Sequence, residues 1–296
     1  MSHVQAEEEE ELLATQSRTH GRRIKAVFFD FMGTCLDWHS GVASALPATI
    51  AEATRSRLAL DWREEFFREL HARSQRGLPL EDIDITHRKT LLRILGRDVY
   101  EGERRHFVGL DEEGNNNGAL PSSTTSVAPP PPPPPGGGTD AVERAVRSWH
   151  NMVPWSDVRP ALTALKESSE LGGLELFVLA NGTTRLQLDL VRSSGLEGLF
   201  SLLFSSELLG VYKPAPEAYE KALRLVQVRP DEAVMVAAHA YDLRAARALG
   251  MNTVYVHRWT DDRSEDMDAV RRENDAFLGE RENGMEGLYS VIKALS

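Results

Sequence analysis

Five short apolar runs, separated by helix-patterned stretches, constrain this chain more than any other feature. They are Ile24–Phe29 (IKAVFF), Leu174–Leu179 (LELFVL), Leu199–Phe204, Ala233–Val236 (AVMV) and Thr253–Val256. Runs this short and this apolar suit strands buried on both faces. Between them, Arg185–Ser194 reads as a helix stopped at Gly195, Ala215–Leu225 as a second, and Ala240–Leu249 as a third stopped at Gly250. Strands alternating with helices mean parallel βαβ units, hence an α/β fold built on a Rossmann-like parallel sheet. No internal repeat is visible.

The remaining segments divide by composition. Residues 1–22 are polar and carry the run Glu7–Glu11, so they read as a disordered acidic tail, with at most a short helix at Glu7–Leu13. From about Ser40 to Gly109 the pattern is helical. Trp62, Phe66, Phe67 and Leu70 recur at i, i+4, i+5 and i+8, an apolar stripe that reads as core packing. At about 111–139 the character changes to NNNG, PSSTTS, seven consecutive prolines at 129–135, and GGG. Such a stretch cannot bury a core and is expected to be disordered, with a polyproline II section. One short proline run is weak evidence for an SH3- or profilin-type partner, so it is read as a tolerated low-complexity insertion. Helical patterning resumes after Ala141. The expected organisation is a core of residues 23–39 and 151–296, interrupted by a helical segment at 40–150 that contains the insertion.

Composition excludes some partners. The chain has 296 residues, 41% of them hydrophobic, enough for a sizeable core. A formal net charge of -11 argues against nucleic acid or an anionic membrane, because both attract basic surfaces. Cys35 is the single cysteine, so no internal disulfide forms, which fits a reducing compartment. It sits in an apolar context and reads as packing. No run approaches the roughly 18 apolar residues of a membrane span, and the acidic N-terminus resembles no secretory leader. A cytoplasmic location is expected.

In open α/β sheets ligands bind at the C-terminal ends of the strands. There the sequence places Asp30 after the first strand, with Gly33-Thr34 as a turn, and Asn181 after the second. Lys213 follows the third, and His239 and Asp242 follow the fourth. Each has an ordinary explanation alone: a helix cap, a turn, a surface lysine. Their joint placement points to a site.

These residues also carry a resemblance. FFDFMGTCLDW (28–38) looks like motif I of the haloacid dehalogenase superfamily. VLANGT (178–183) resembles motif II, GVYKPAPEAY (210–219) motif III, and VMVAAHAYDLRAARALGM (234–251) motif IV. The chain is most similar to the type II, (S)-2-haloacid dehalogenase-like group, over about residues 24–260. The resemblance implies a small helical cap inserted after the first strand. It also implies a hydrolase whose nucleophile, Asp30, forms an ester that water then cleaves. Lys213 would hold Asp30 ionised. Thr34 and Asn181 would donate hydrogen bonds to the nucleophile or the oxyanion.

Phosphatases of the superfamily carry an aspartate, as general acid, where this chain has Met32. Methionine cannot protonate a leaving group, whereas a halide needs no proton, so position 32 favours carbon–halogen cleavage. His239 would activate the hydrolytic water, having an unperturbed pKa of about 6.5; the alternative is a strand-end histidine bonded to backbone. Met32, Tyr219, Tyr241 and Trp38 would wall the pocket, with core packing equally open for Tyr241 and Trp38. Arg63, or else Arg88, would hold a substrate carboxylate by a bidentate guanidinium. No cofactor is expected; in the alternative of a Mg²⁺-dependent phosphatase, Asp30 and Asp242 would hold the ion. A third alternative is a non-catalytic binding module recruiting partners through its proline run. A small carboxylate is the expected partner, and a homodimer stays open. Two departures stand out: Ala180 replaces the usual motif II hydroxyl residue, and the insertion falls within the helical segment.

Overall fold

The computed structural model describes residues 23–79, 81–107, 141–279 and 284–296. The expected acidic tail with its short helix, and the insertion at about 111–139, lie outside the described residues.

Six strands form one parallel sheet in the order β5-β4-β1-β6-β7-β8. They are β1 (Ala26–Phe29), β4 (Glu175–Ala180), β5 (Leu202–Ser205), β6 (Ala233–Ala237), β7 (Asn252–Val256) and β8 (Ala276–Leu278). A two-stranded antiparallel pair, β2 (Leu36–Asp37) with β3 (Val153–Pro154), stands beside it. All five expected strands are present. The third starts at Leu202 rather than Leu199, because Phe200 instead packs edge-on against Phe29 and Phe31.

Alternation along β1 explains how the sheet is covered. Val27 and Phe29 join one apolar cluster with Val178, Val236 and Val254, closed by the helices Val158–Glu167, Thr184–Ser194 and Leu288–Leu295. Ala26 and Phe28 join the other with Phe177, Leu179 and Met235, closed by Pro216–Leu225, Ala240–Ala248 and Met267–Glu273. Burial on both faces is why β1 is apolar throughout.

The first cluster continues into the helices Trp38–Ala45, Glu52–Gln75, Ile83–Leu95 and Ala141–Arg147. Their centre is a ring stack. Trp38 lies on Trp149 at 5.7 Å, Trp149 on His87 at 4.0 Å, and His87 on Phe66 at 4.1 Å. Burial pushes the His87 imidazole well below its ordinary pKa, so it stacks as a neutral ring. Among the described residues, no helix is long and apolar enough to cross a membrane.

The order of strands positions the site. After β1 the chain builds outward through β4 to β5, then returns to the other side of β1 for β6, β7 and β8. The reversal opens a crevice at the C-terminal end of β1. Phe29 is in register with Val178 of β4 and Val236 of β6, so the residues following all three strands emerge at one level.

Candidate active site

Asp30 is the first residue beyond β1, and its amide donates to the Val236 carbonyl at 3.0 Å. The turn that follows is pinned from several sides. Trp155 Nε1 donates to the Gly33 carbonyl at 2.8 Å, and Arg258 Nε to the Thr34 carbonyl at 3.2 Å. Arg258 is itself held bidentately by Asp157, at 2.9 Å on both nitrogens.

Three side chains converge on the Asp30 carboxylate. Lys213 Nζ donates to Oδ1 at 2.9 Å, Thr34 Oγ1 to Oδ2 at 2.7 Å, and His239 Nδ1 to Oδ2 at 3.0 Å. Thr34 Oγ1 in turn accepts the Ala238 amide at 2.8 Å, tying the β1 turn to the end of β6. Burial alone would push the Asp30 carboxyl up. The Lys213 ammonium and the His239 imidazolium overcome that and hold it well below the usual carboxylate range. Asp30 is therefore an ionised, oriented carboxylate whose side chain keeps 10% of its surface exposed.

Lys213 reaches past Asp30 to Asp242, which also accepts a hydrogen bond from the Tyr219 hydroxyl. Burial would lower the Lys213 pKa, but the two carboxylates raise it. Asp242 is fully buried, and burial pushes its carboxyl up, offset in part by Lys213. Asn181 brackets the Lys213 backbone: its Oδ1 accepts the Lys213 amide at 2.8 Å and its Nδ2 donates to the Lys213 carbonyl at 3.0 Å.

On the other side, His239 Nε2 donates to Asp261 Oδ1 at 3.0 Å. Both ring nitrogens thus face carboxylates, and only the imidazolium can donate from both. Burial alone would lower this imidazole's pKa, but hydrogen bonds to Asp261 and Asp30 raise it to about 10. Asp261 is fixed by two further donors, Trp38 Nε1 at 3.1 Å and Thr260 Oγ1 at 2.6 Å. Burial raises its carboxyl, but the His239 hydrogen bond and charge bring it below the usual value. The approach of Asp261 to the β1 turn depends on Gly33. That residue has φ 91°, and a Cβ there would lie 2.8 Å from the Asp261 carboxylate oxygens.

Beside Asp30, whose own side chain is not among the lining residues, lies a cavity of about 720 Å³. Lys213, His239, Asp261, Asn181, Tyr241 and Arg63 line it, with Leu60, Phe67 and Leu70 forming an apolar wall. Arg63 comes from the long helix Glu52–Gln75. Its guanidinium carbon lies 4.3 Å from the centre of the Phe67 ring, with Trp38, Phe66 and Trp149 also in reach. Nη2 donates to the Met32 carbonyl at 3.4 Å, while Nε and Nη1 are buried with no hydrogen-bond partner among the described residues. A buried guanidinium with two unsatisfied nitrogens has N–H groups to donate to a carboxylate.

The structure relocates several sequence-predicted site residues. Tyr219 is fully buried behind the cavity, because its hydroxyl is spent on Asp242. Trp38 is also fully buried, stacked on Trp149 and bonded to Asp261, so it is core rather than wall. Met32 contributes its carbonyl to Arg63 and is not among the lining residues. The Asn181 amide brackets the Lys213 backbone, which engages one of the two Nδ2 hydrogens, and the residue borders the cavity. Arg88 pairs with Glu143 away from the cavity, which leaves Arg63 as the guanidinium in place. His239 is bonded to two carboxylates rather than to backbone. As a cation in the resting site it cannot take a proton from water, contrary to the expected unperturbed base. Asp242 does not line the cavity. Sequence reasoning missed Asp261, although it follows β7 and the strand-end rule that found Asp30 applies equally to it.

The residues present do not fit a Mg²⁺ site. The Lys213 ammonium touches both Asp30 and Asp242, filling the space between the carboxylates that would hold the ion. Ala237 and Ala238 offer no side-chain oxygen, and the Met32 carbonyl is engaged by Arg63. Among the described residues, no group of three or more His, Cys, Asp or Glu side chains is disposed to hold a metal.

A family model described as haloacid dehalogenase-like hydrolase matches residues 24–250. Haloacetate dehalogenase H-2 of Moraxella sp. (strain B) is 31% identical over 116 residues, 39% of this chain and 50% of that protein. Phosphoserine phosphatase of Thermus thermophilus is 36% identical over 100 residues, 33% of this chain and 40% of that protein. The chain thus spans about half the length, or less, of these curated relatives. A solved L-2-haloacid dehalogenase superposes with a TM-score of 0.67 at 27% identity, covering 92% of this chain and 99% of the other.

Proposed function

Because the chain belongs to the haloacid dehalogenase-like hydrolases, we propose that it hydrolyses a small 2-substituted carboxylate through an ester on Asp30. Arg63 carries this reading: a buried guanidinium, bordering the cavity that the Asp30 partners Lys213 and His239 line, has two nitrogens without acceptors. A carboxylate accepting from one edge of that guanidinium is held there, with the adjacent carbon fixed for attack.

The chemistry divides between named side chains. Lys213 and His239 hold Asp30 ionised and aimed. Its oxygen attacks the carbon next to the carboxylate, the carbon–halogen bond breaks, and the halide leaves with the electron pair. Met32 offers no proton to the leaving group, so a leaving group stable as an anion suits this site better than an alkoxide. Water then attacks Cγ of Asp30, and the 2-hydroxy acid departs.

The resemblance to a phosphatase supplies the second reading, which one panel separates from the first. Halide release from (S)-2-chloropropionate and phosphate release from phenyl phosphate are measured with and without EDTA. The first reading expects halide release, unchanged by EDTA and abolished in Asp30→Asn. It also expects one ¹⁸O from H₂¹⁸O in the Asp30 carboxylate after a single turnover. Phosphate release lost with EDTA would replace it with the second.

A further inference from the structure

We infer that Asp30, His239 and Asp261 form a nucleophile–base–orienting triad whose base is switched on by esterification of the nucleophile. This rests on the ester reading above and goes beyond it, because it assigns the second half-reaction to a pair of residues.

The geometry is a relay through one imidazole ring. Asp30 Oδ2 lies 3.0 Å from His239 Nδ1, and His239 Nε2 lies 3.0 Å from Asp261 Oδ1. A nucleophile within hydrogen-bond reach of a base, itself oriented by a third group, is the arrangement that triads share on unrelated folds. Asp261 is suited to orienting because its other oxygen is held by Trp38 and Thr260. Asp262, next in the chain, accepts the Ala240 amide at 2.5 Å and so anchors the start of the helix that follows His239.

In the resting site the imidazole cannot serve as a base, since its partners hold it protonated. Esterification removes one of them: Asp30 becomes neutral, and its oxygen no longer stabilises a proton on Nδ1. The other charged or titratable groups around the ring stay as they were. Asp261 and Asp262 face it from the loop after β7, Arg63 from the long helix, Lys213 across Asp30, and Tyr241 from its own helix. With one carboxylate gone, Nδ1 gives its proton to solvent while Nε2 stays bonded to Asp261.

The protons then balance. Attack by Asp30 releases halide, and His239 releases one proton. Water attacks the ester carbonyl, and Nδ1 takes its proton. The tetrahedral intermediate collapses, the alkoxide of the 2-hydroxy acid takes that proton, and Asp30 is left as a carboxylic acid. Asp30 passes its proton to His239, which restores the ion pair. The sum is one halide, one proton and one hydroxy acid from substrate and water.

Two experiments test this, one of them independent of turnover. In the first, ¹⁵N-histidine NMR follows the His239 ring through pH in wild type and in Asp30→Asn, whose amide is a neutral stand-in for the ester. The wild-type ring is expected to stay protonated at pH 9, and the Asp30→Asn ring to lose its proton at least two pH units lower. Equal titration in both proteins overturns the switch. In the second, His239→Asn and Asp261→Asn are mixed with (S)-2-chloropropionate. Both are expected to release one equivalent of halide in a burst that outruns their later turnover, slower than wild type in His239→Asn because Asp30 loses one of its two cationic partners. Both then turn over about 10²–10⁴-fold more slowly, with a carboxyethyl ester on Asp30 visible by mass spectrometry. Wild-type ester hydrolysis in either variant, or loss of the halide burst along with turnover, overturns the assignment. If wild type itself releases no halide, the reading of the reaction fails, and the titration still decides the switch.

Discussion

The two oxygens of Asp30 each begin a chain of acid, cation and acid, and the two chains are built for different duties. From Oδ1 the order is Asp30, Lys213, Asp242; from Oδ2 it is Asp30, His239, Asp261. The first ends inside the protein, where Asp242 and Tyr219 have no exposed surface. Its cation is an amine whose pKa the carboxylates drive further up, so it is charged in the resting site. The second runs along the cavity, and its cation is an imidazole, whose proton comes within reach once a partner is neutralised. Identical charge patterns, with both cations buried at the cavity, thus suit a fixed clamp where the cation is a lysine and the inferred switch where it is a histidine.

The comparison breaks most sharply at Lys213. Lys213→Ala leaves two carboxylates facing each other without their cation, so activity should vanish and unfolding free energy fall by about 3–5 kcal/mol. Urea denaturation beside halide release checks both; a variant as stable as wild type would make the clamp dispensable. A smaller effect is expected at the other chain's turn. Gly33→Ala strains a backbone at φ 91° and pushes a methyl against Asp261, for about 1–2 kcal/mol. Because Asp261 is displaced, ester hydrolysis should slow more than halide release, which stopped-flow traces of the two phases would reveal.

The smallest effect is a pH dependence. Below about pH 6.5 the folded and unfolded chains both carry the His239 proton, and its stabilising contribution is complete. From there to about pH 10 the unfolded chain has lost the proton while the folded chain holds it, so stability declines; above about 10 the contribution is gone. Urea midpoints should fall across that window in wild type and stay flatter in His239→Asn. Parallel curves would mean the ring is not the titrating group.

Legibility from sequence followed the same division. Strand ends were readable because short apolar runs stop at chemistry-bearing residues: Phe29 before Asp30, Ala180 before Asn181, Ala237 two residues before His239. Contacts fixed by register alone were not. Nothing in the sequence says that Trp38 reaches Asp261 across 223 positions, or that Tyr219 turns inward to Asp242. Asn181 has the composition of an oxyanion donor, and only its bonds to the Lys213 backbone reveal a scaffold role. β8 is three residues long, and β2 and β3 two each, too short for a period to register. The charge of His239 depends on having carboxylates on both sides, which no spacing rule anticipates.

The size of the cavity bears on what enters it. About 720 Å³ is room for a molecule well beyond three carbons, and Leu60, Phe67 and Leu70 give the spare volume a greasy side. On the proposed reading, an acid anchored by its head at Arg63 would lay a hydrocarbon tail along that side and expel the water there. If the proposed carboxylate head is common to every substrate, selectivity at this site is a matter of tail length and shape.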